Sequence, residues 1–281
     1  IFFLCNNTID SISLYVSFIN KGIVPILINS DLEESLIRDI IEKYNPSYIF
    51  LPFTNQNYDF KYAKFLTYNS FSVLKARNSF KTELDSELAI LLSSSGSTGS
   101  PKLIRISYKN LLSNAISISN YLNLNSDEIA ITSLPMNYSF GLSIINSHLY
   151  VGAKIVVTEK SLIQRDFWEL VKRNNVTSLS GVPYTYEILK KLRFFKMNLP
   201  SITYMTQAGG KLSDSIIEEF ANHCGNKNID FFIMYGQTEG TARLSYLNPN
   251  KNLEKLGSIG RAIPGGEFRL VSNENKTIEL L

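Results

Sequence analysis

Residues 1–51 switch between two hydrophobic rhythms, and that alternation restricts the possible folds more than any other feature of the chain. Residues 1–5 are a short apolar run and read as a strand. Asn7 and Thr8 are capping types, and Ile9, Ile12, Tyr15, Val16 and Ile19 then recur at helical spacing until Gly22 ends the pattern. Residues 23–28 are a second apolar run. A second helical pattern covers residues 32–44, with Ser30 or Asp31 as its cap and a stop before Pro46, and residues 48–51 read as a third strand. Strands separated by helices need crossover connections, so the sequence calls for a parallel sheet covered by helices. The chain opens directly in a strand, which leads us to expect a further segment upstream of residue 1.

The same alternation continues. Residues 52–87 are polar and weakly patterned, which suggests short strands and surface connections. Ser107 is placed to cap a helix over 108–122. Strands are expected at 129–134, 154–158, 202–205 and 230–234. Helices are expected from beyond Leu142 to Tyr150, over 164–174, from Pro183 to about Phe195, and through Phe220. With 281 residues, 44% hydrophobic and 19% charged, the chain can bury the core of one large or two ordinary domains. A net charge of +3 gives no reason to expect a nucleic-acid partner. Cys5, Cys224, His148 and His223 lack metal-ligand spacing. No signal peptide and no run of about 20 apolar residues is present, so a cytoplasmic enzyme without a membrane segment is expected.

One stretch stands out for its chemistry. The apolar run Leu88-Ala89-Ile90-Leu91-Leu92 leads into Ser93-Ser94-Ser95-Gly96-Ser97-Thr98-Gly99-Ser100-Pro101-Lys102. Glycine lets backbone N–H groups turn inward, hydroxyls add donors, and lysine adds a mobile positive charge. Such a loop can surround an anion with several donors at once. A flexible Ser/Gly linker has the same composition, but linkers do not follow directly on a buried strand and have no need of the Pro-Lys ending. The spacing also departs from the phosphate loop of nucleotide hydrolases, which requires Gly, four residues, then Gly-Lys-Ser/Thr.

A second stretch, Phe232-Ile233-Met234-Tyr235-Gly236-Gln237-Thr238-Glu239, reads as a buried strand that ends in a tight turn. Open α/β sheets bind ligands at the carboxyl ends of their strands. There an aromatic ring can stack on a purine, a hydroxyl can bond a phosphate, and a carboxylate can hold magnesium. An ordinary strand exit with a capping threonine would look the same in isolation. Gln207-Ala208-Gly209-Gly210-Lys211-Leu212 and Gly257-Ser258-Ile259-Gly260-Arg261-Ala262-Ile263-Pro264-Gly265 are two further turn-rich segments.

Taken in order, these segments resemble the signature motifs of the adenylate-forming (AMP-binding) superfamily, which includes acyl-CoA synthetases, peptide-synthetase adenylation domains and firefly-type luciferases. The resemblance implies an α/β fold of stacked, mostly parallel sheets flanked by helices, in flavodoxin-like subdomains over 1–240. The start of a small, incomplete β-barrel is implied over 241–281, with Ala262 in place of the family's first proline. The implied activity is ATP-dependent adenylation of a carboxylic acid to an acyl-AMP, followed by transfer to a thiol of CoA or of the phosphopantetheine on an acyl carrier protein. ATP and Mg²⁺ are the implied cofactors.

Residue by residue, the resemblance implies that Ser95, Ser97, Thr98 and Lys102 hold the β/γ-phosphates, with Gly96 and Gly99 permitting the close approach and Ser94 in the same cofactor-binding loop. Gly209, Gly210, Lys211, Tyr235 and Gly236 would frame the adenine, Thr238 would bond the α-phosphate, and Glu239 would hold Mg²⁺ with help from Thr98. Thr238, Glu239 and Lys102 are the implied catalytic group. Tyr138, Ser139, Val182 and Pro183, with Tyr186, are candidate acyl-pocket walls. Peptide-synthetase domains carry an aspartate where this chain has Ser139, and a serine cannot offset a buried ammonium. A non-amino acid substrate is therefore expected over an amino acid. The family's later Thr-Gly-Asp segment, hinge and C-terminal lid domain are not in the sequence, so a fragment or one part of a split enzyme is expected, adenylating poorly alone. A nucleotide binder without catalysis and a phosphotransferase releasing ADP are the competing readings.

Overall fold

A computed structural model describes residues 1–53, 62–77, 83–94 and 102–271. Its first sheet begins as the sequence indicates, with β1 (Phe2–Cys5), β2 (Ile26–Asn29) and β3 (Tyr48–Pro52) in parallel. Helices α1 (Ile9–Asn20) and α2 (Glu34–Tyr44) make the crossovers. The side chain of Thr8 caps α1 by accepting from the Ser11 N–H at 3.2 Å, and Gly22 leaves the helix at φ +66°. Helix α2 corrects the expected cap. Its N-cap is Glu33, with no side-chain bond, and Asp31 lies in the preceding turn, where its N–H donates to Asn29 Oδ1 at 3.0 Å.

Residues 52–87 hold more regular structure than their sequence suggested. Strands β4 (Tyr62–Tyr68) and β5 (Phe71–Ala76) form an antiparallel hairpin that extends the sheet beyond β3. On the other side β6 (Leu88–Ser94) pairs parallel with β2, and β7 (Lys102–Ser107) pairs antiparallel with β6. The full order is β4-β5-β3-β1-β2-β6-β7, a parallel centre with antiparallel edges. The strand β7 was not anticipated, although Ile104 and Ile106 alternate with charged Arg105.

Next come α3 (Tyr108–Tyr121), β8 (Ile129–Ile131), α4 (Ser139–Tyr150), β9 (Lys154–Val156) and α5 (Arg165–Arg173). Then follow β10 (Ser178–Gly181), α6 (Pro183–Lys191), β11 (Tyr204–Gln207), α7 (Asp214–Asn226) and β12 (Asp230–Tyr235). Strands β10, β11 and β12 are parallel. Two short strands, β13 (Ser245–Leu247) and β14 (Arg261–Ala262), then add antiparallel to β12. Both large sheets are thus mixed, and no closed barrel forms among the described residues. Strands β8 and β9 make a separate parallel pair.

Helix α4 explains how the two sheets come to face one cleft. It is buried on nearly every side, with Ser143 and His148 satisfied by hydrogen bonds and its apolar residues shared between two cores. Leu142 and Ile145 join the core under the first sheet, with Phe3, Cys5 and Leu92. Phe140 and Ile144 join the core under the second, with Tyr204, Phe232 and Met234. Burying each of these large side chains contributes about 1.5–3 kcal/mol. Asn7, just beyond β1, fixes the approach to α4. Its amide donates to the carbonyls of Thr132 at 3.3 Å and Leu134 at 3.0 Å and accepts from the Met136 N–H at 3.0 Å.

Candidate active site

The carboxyl ends of β11 and β12 and the start of α4 enclose a cleft of about 740 Å³. Tyr138, Ser139 and Phe140 form one wall. The turn from Gln207 to Leu212 forms a second, and the segment from Met234 to Glu239 a third. Lys102 reaches the rim from β7, which runs beside the turn Thr238–Gly240, and Gly257, Ser258 and Ile259 close the cleft from the C-terminal side. All four sequence motifs therefore send residues to one cavity. Ser94 pairs with Lys102 across the β6–β7 ladder, so the chain enters and leaves the serine-glycine segment at fixed points. Ser95, Gly96, Ser97, Thr98 and Gly99 lie outside the described residues.

Local geometry shows why small residues recur here. Gly236 presses on the carbonyl of Ala242, and a Cβ at this position would coincide with that oxygen. Gly209 has φ +81°, and a Cβ there would collide with the hydroxyl of Tyr138 and sit 3.0 Å from Cγ1 of Val182. Gln207 Nε2 donates to the carbonyl of Gly210 at 2.9 Å, which closes the turn on itself. Backbone thus forms the cleft wall at Gly209 and Gly210, where a Cβ would meet Tyr138, Val182 or Pro183.

The polar groups divide by position. Thr238 is half-buried with its Oγ1 3.3 Å from Ser139 Oγ, so the two hydroxyls face the cleft as a pair. Tyr235 and Glu239 are exposed to it. Among the described lining residues, Glu239 is the one carboxylate, and Lys102 and Lys211 are the cations. No group of three His, Cys, Asp or Glu residues that could cage a metal exists among the described residues. A single carboxylate in an open cleft fits magnesium, which binds through one or two carboxylates plus substrate phosphates and keeps several waters. Burial raises the Tyr138 hydroxyl above its ordinary pKa, so it stays a neutral donor.

Val182 and Pro183 pack against the Gly209-Gly210 turn, with Val182 Cγ1 3.0 Å from where a Gly209 Cβ would stand and Pro183 Cγ 3.1 Å from where a Gly210 Cβ would stand. Tyr186 is core: it is 1% exposed, donates to the Thr206 carbonyl at 2.8 Å and packs on Phe220 and Phe231. Phe140, Met234 and Ala242 form the floor and were not singled out, since as isolated apolar residues they look like any core position. Cys5 and Cys224 are buried, and burial pushes both thiols up to about 12, which leaves them inert.

The chain belongs to the AMP-binding enzyme family, whose pattern it matches over residues 1–279. Among curated relatives, it is 25% identical over 273 residues to the 2-succinylbenzoate–CoA ligase of Bacillus cereus (strain ATCC 10987 / NRS 248), covering 95% of this chain and 54% of that protein. It is 27% identical over 183 residues to the 2-succinylbenzoate–CoA ligase of Bacillus subtilis (strain 168), covering 65% of this chain and 36% of the relative. The chain thus spans about half the length of the B. cereus relative. The fold is shared with o-succinylbenzoate CoA synthetase (MenE) from Bacillus subtilis in complex with the acyl-adenylate intermediate OSB-AMP, at TM-score 0.79 and 20% identity over 99% of this chain and 56% of that one. It is shared too with the N-terminal domain of FACL13 from Mycobacterium tuberculosis, at TM-score 0.80 and 16% identity, covering 99% and 72%.

Proposed function

We propose that this cleft joins a non-amino carboxylic acid to ATP, giving an acyl-AMP and pyrophosphate, in a protein that then passes the acyl group to CoA. The observation that carries this reading is the convergence of Lys102, the Gln207–Leu212 turn and the Tyr235–Glu239 segment on one cavity. Attack of a carboxylate on the α-phosphate gathers negative charge, so the residues have mainly to position and neutralise. In this assignment Tyr235 and the turn at Gly209, Gly210 and Lys211 hold the adenine, with Gly236 making room. Thr238 donates to the α-phosphate and Lys102 neutralises the outer phosphates beside Ser94, Ser95, Gly96, Ser97, Thr98 and Gly99. Glu239, with Thr98, would hold Mg²⁺, which neutralises the triphosphate when bound.

Tyr138 and Ser139 take the acid. A cleft whose described lining holds Glu239 as its one carboxylate offers no second acid to pair with a substrate ammonium, which favours a non-amino acid. The curated relatives named above make 2-succinylbenzoate the first acid to test and CoA the first thiol. No helix among the described residues is long and apolar enough to cross a membrane, and we place the reaction in the cytoplasm.

The test is ATP–pyrophosphate exchange with a carboxylate panel, on the wild type and on Glu239→Gln. Removing the metal-binding charge should lower exchange by about a hundredfold or more, the scale of losing one charge-stabilising group from a transition state. Exchange unchanged by E239Q would contradict the assignment.

A further inference from the structure

Directly behind the cleft floor, the chain makes an unusual turn. Thr241 and Ala242 take consecutive positive φ values of 55° and 80°, a conformation that residues with a Cβ adopt only when surrounding structure holds them there. The Ala242 carbonyl of this turn is the group pressed on Gly236. The next residue, Arg243, is 2% exposed and is the largest fully buried side chain among the described residues.

Its contacts reach every neighbouring element. Nε donates to Ser143 Oγ of α4 at 3.0 Å, and Nη1 donates to the hydroxyl of Tyr121 of α3 at 3.2 Å. The guanidinium lies 5.0 Å from the ring of Phe140, which forms part of the cleft floor. The Arg243 carbonyl accepts from Asn114 Nδ2 at 2.9 Å, and the Tyr121 ring stacks on Tyr246 at 4.2 Å. None of the ion pairs among the described residues includes Arg243. A buried guanidinium without a carboxylate is costly, and a hydrocarbon would fill the same space at lower cost. The planar fork does something a hydrocarbon cannot: it bonds two helices at once in fixed geometry.

Resting on the adenylation reading above, we propose that Arg243 is a positioning residue that anchors the Thr241-Ala242 turn to α3 and α4 and so holds Thr238 against Ser139. It touches neither substrate. It sets the distance between the wall that carries Ser139 and Phe140 and the segment that carries Thr238 and Glu239.

The experiment compares wild type, Arg243→Met, Arg243→Lys and Ser143→Ala in the intact protein. Hydrogen–deuterium exchange is read on peptides covering 139–147, 235–244, 178–181 and 204–207. R243M should speed exchange in the first two by about tenfold while β10 and β11 keep theirs, since separate segments open with their own free energies. R243K and S143A should show the same pattern to a smaller degree. Unchanged protection at 235–244 in all three variants, or uniform loss over the whole chain, would overturn the proposal. Where exchange with ATP and pyrophosphate is measurable, R243M should lower kcat with ATP KM nearly constant, and Thr238→Val with R243M should lose little more than T238V alone. Additive losses would overturn it as well. A wild type inactive toward every acid would defeat the functional reading, while the hydrogen-exchange arm would still decide the role of Arg243.

Discussion

Replacing Gly209 with alanine tests the cleft geometry at its tightest point. Two separate costs arise there. A residue with a Cβ held at φ +81° gives up about 1–2 kcal/mol to local sterics. The new methyl would also overlap the Tyr138 hydroxyl and crowd Val182 Cγ1 at 3.0 Å, and overpacking of this kind costs about 1–3 kcal/mol. Together G209A should destabilise the protein by about 2–5 kcal/mol. The two costs can be separated, because Tyr138→Phe deletes the colliding oxygen and leaves the nearest ring carbon at 3.6 Å, an ordinary contact. In the Y138F background G209A should therefore cost about 1–2 kcal/mol less than in the wild type. Urea midpoints of the four proteins give the coupling directly. Losses that add within about 0.5 kcal/mol would show that Tyr138 and Gly209 do not meet, and the wall described here would be wrong.

Two further perturbations probe the frame around the cleft. Burial, with the charge of Arg243 adding to it, holds His148 down at about 4, and its ring bonds the Ile144 carbonyl at 2.8 Å and the Tyr204 hydroxyl at 3.1 Å. The unfolded chain takes up this proton first as pH falls. The stabilisation is thus complete above about 6.5 and lost between there and 4, to a ceiling on the order of 3 kcal/mol. Urea midpoints should drop over that window in the wild type and less steeply in His148→Gln; parallel curves would refute the assignment. Asn7→Ala removes three hydrogen bonds that pin residues 132–136 to the first sheet, and the orphaned backbone groups should cost about 1–3 kcal/mol by denaturant unfolding. A loss below about 0.5 kcal/mol would mean the link does not hold the α4 approach.

Much of this architecture was readable from the residues. The β1–β3 crossovers follow from spacing alone, since period and caps agree at Thr8 and at the stop before Pro46. Gly236, Thr238 and Glu239, which stand out in the sequence as a glycine, a hydroxyl and a carboxylate at close offsets, all line the cleft. Short strands were expected over 52–87, but the bounds and pairing of β4 and β5 were not legible, because β4 is exposed along most of its length and lacks the alternation a half-buried strand displays. Strand β7 spans only Lys102–Ser107, so its Ile104-Arg105-Ile106 alternation is too brief to mark a strand. Arg243 gave no local signal: an arginine after a turn is ordinarily solvated, and only tertiary contacts from α3 and α4 make it a buried anchor.

The identity of the nucleotide product tests the central claim most directly. With ATP, magnesium and 2-succinylbenzoate or another accepted acid, the intact protein should form AMP and pyrophosphate only when the acid is present. Release of ADP, or AMP formation indifferent to any acid, would contradict the assignment of this cleft to acyl adenylation.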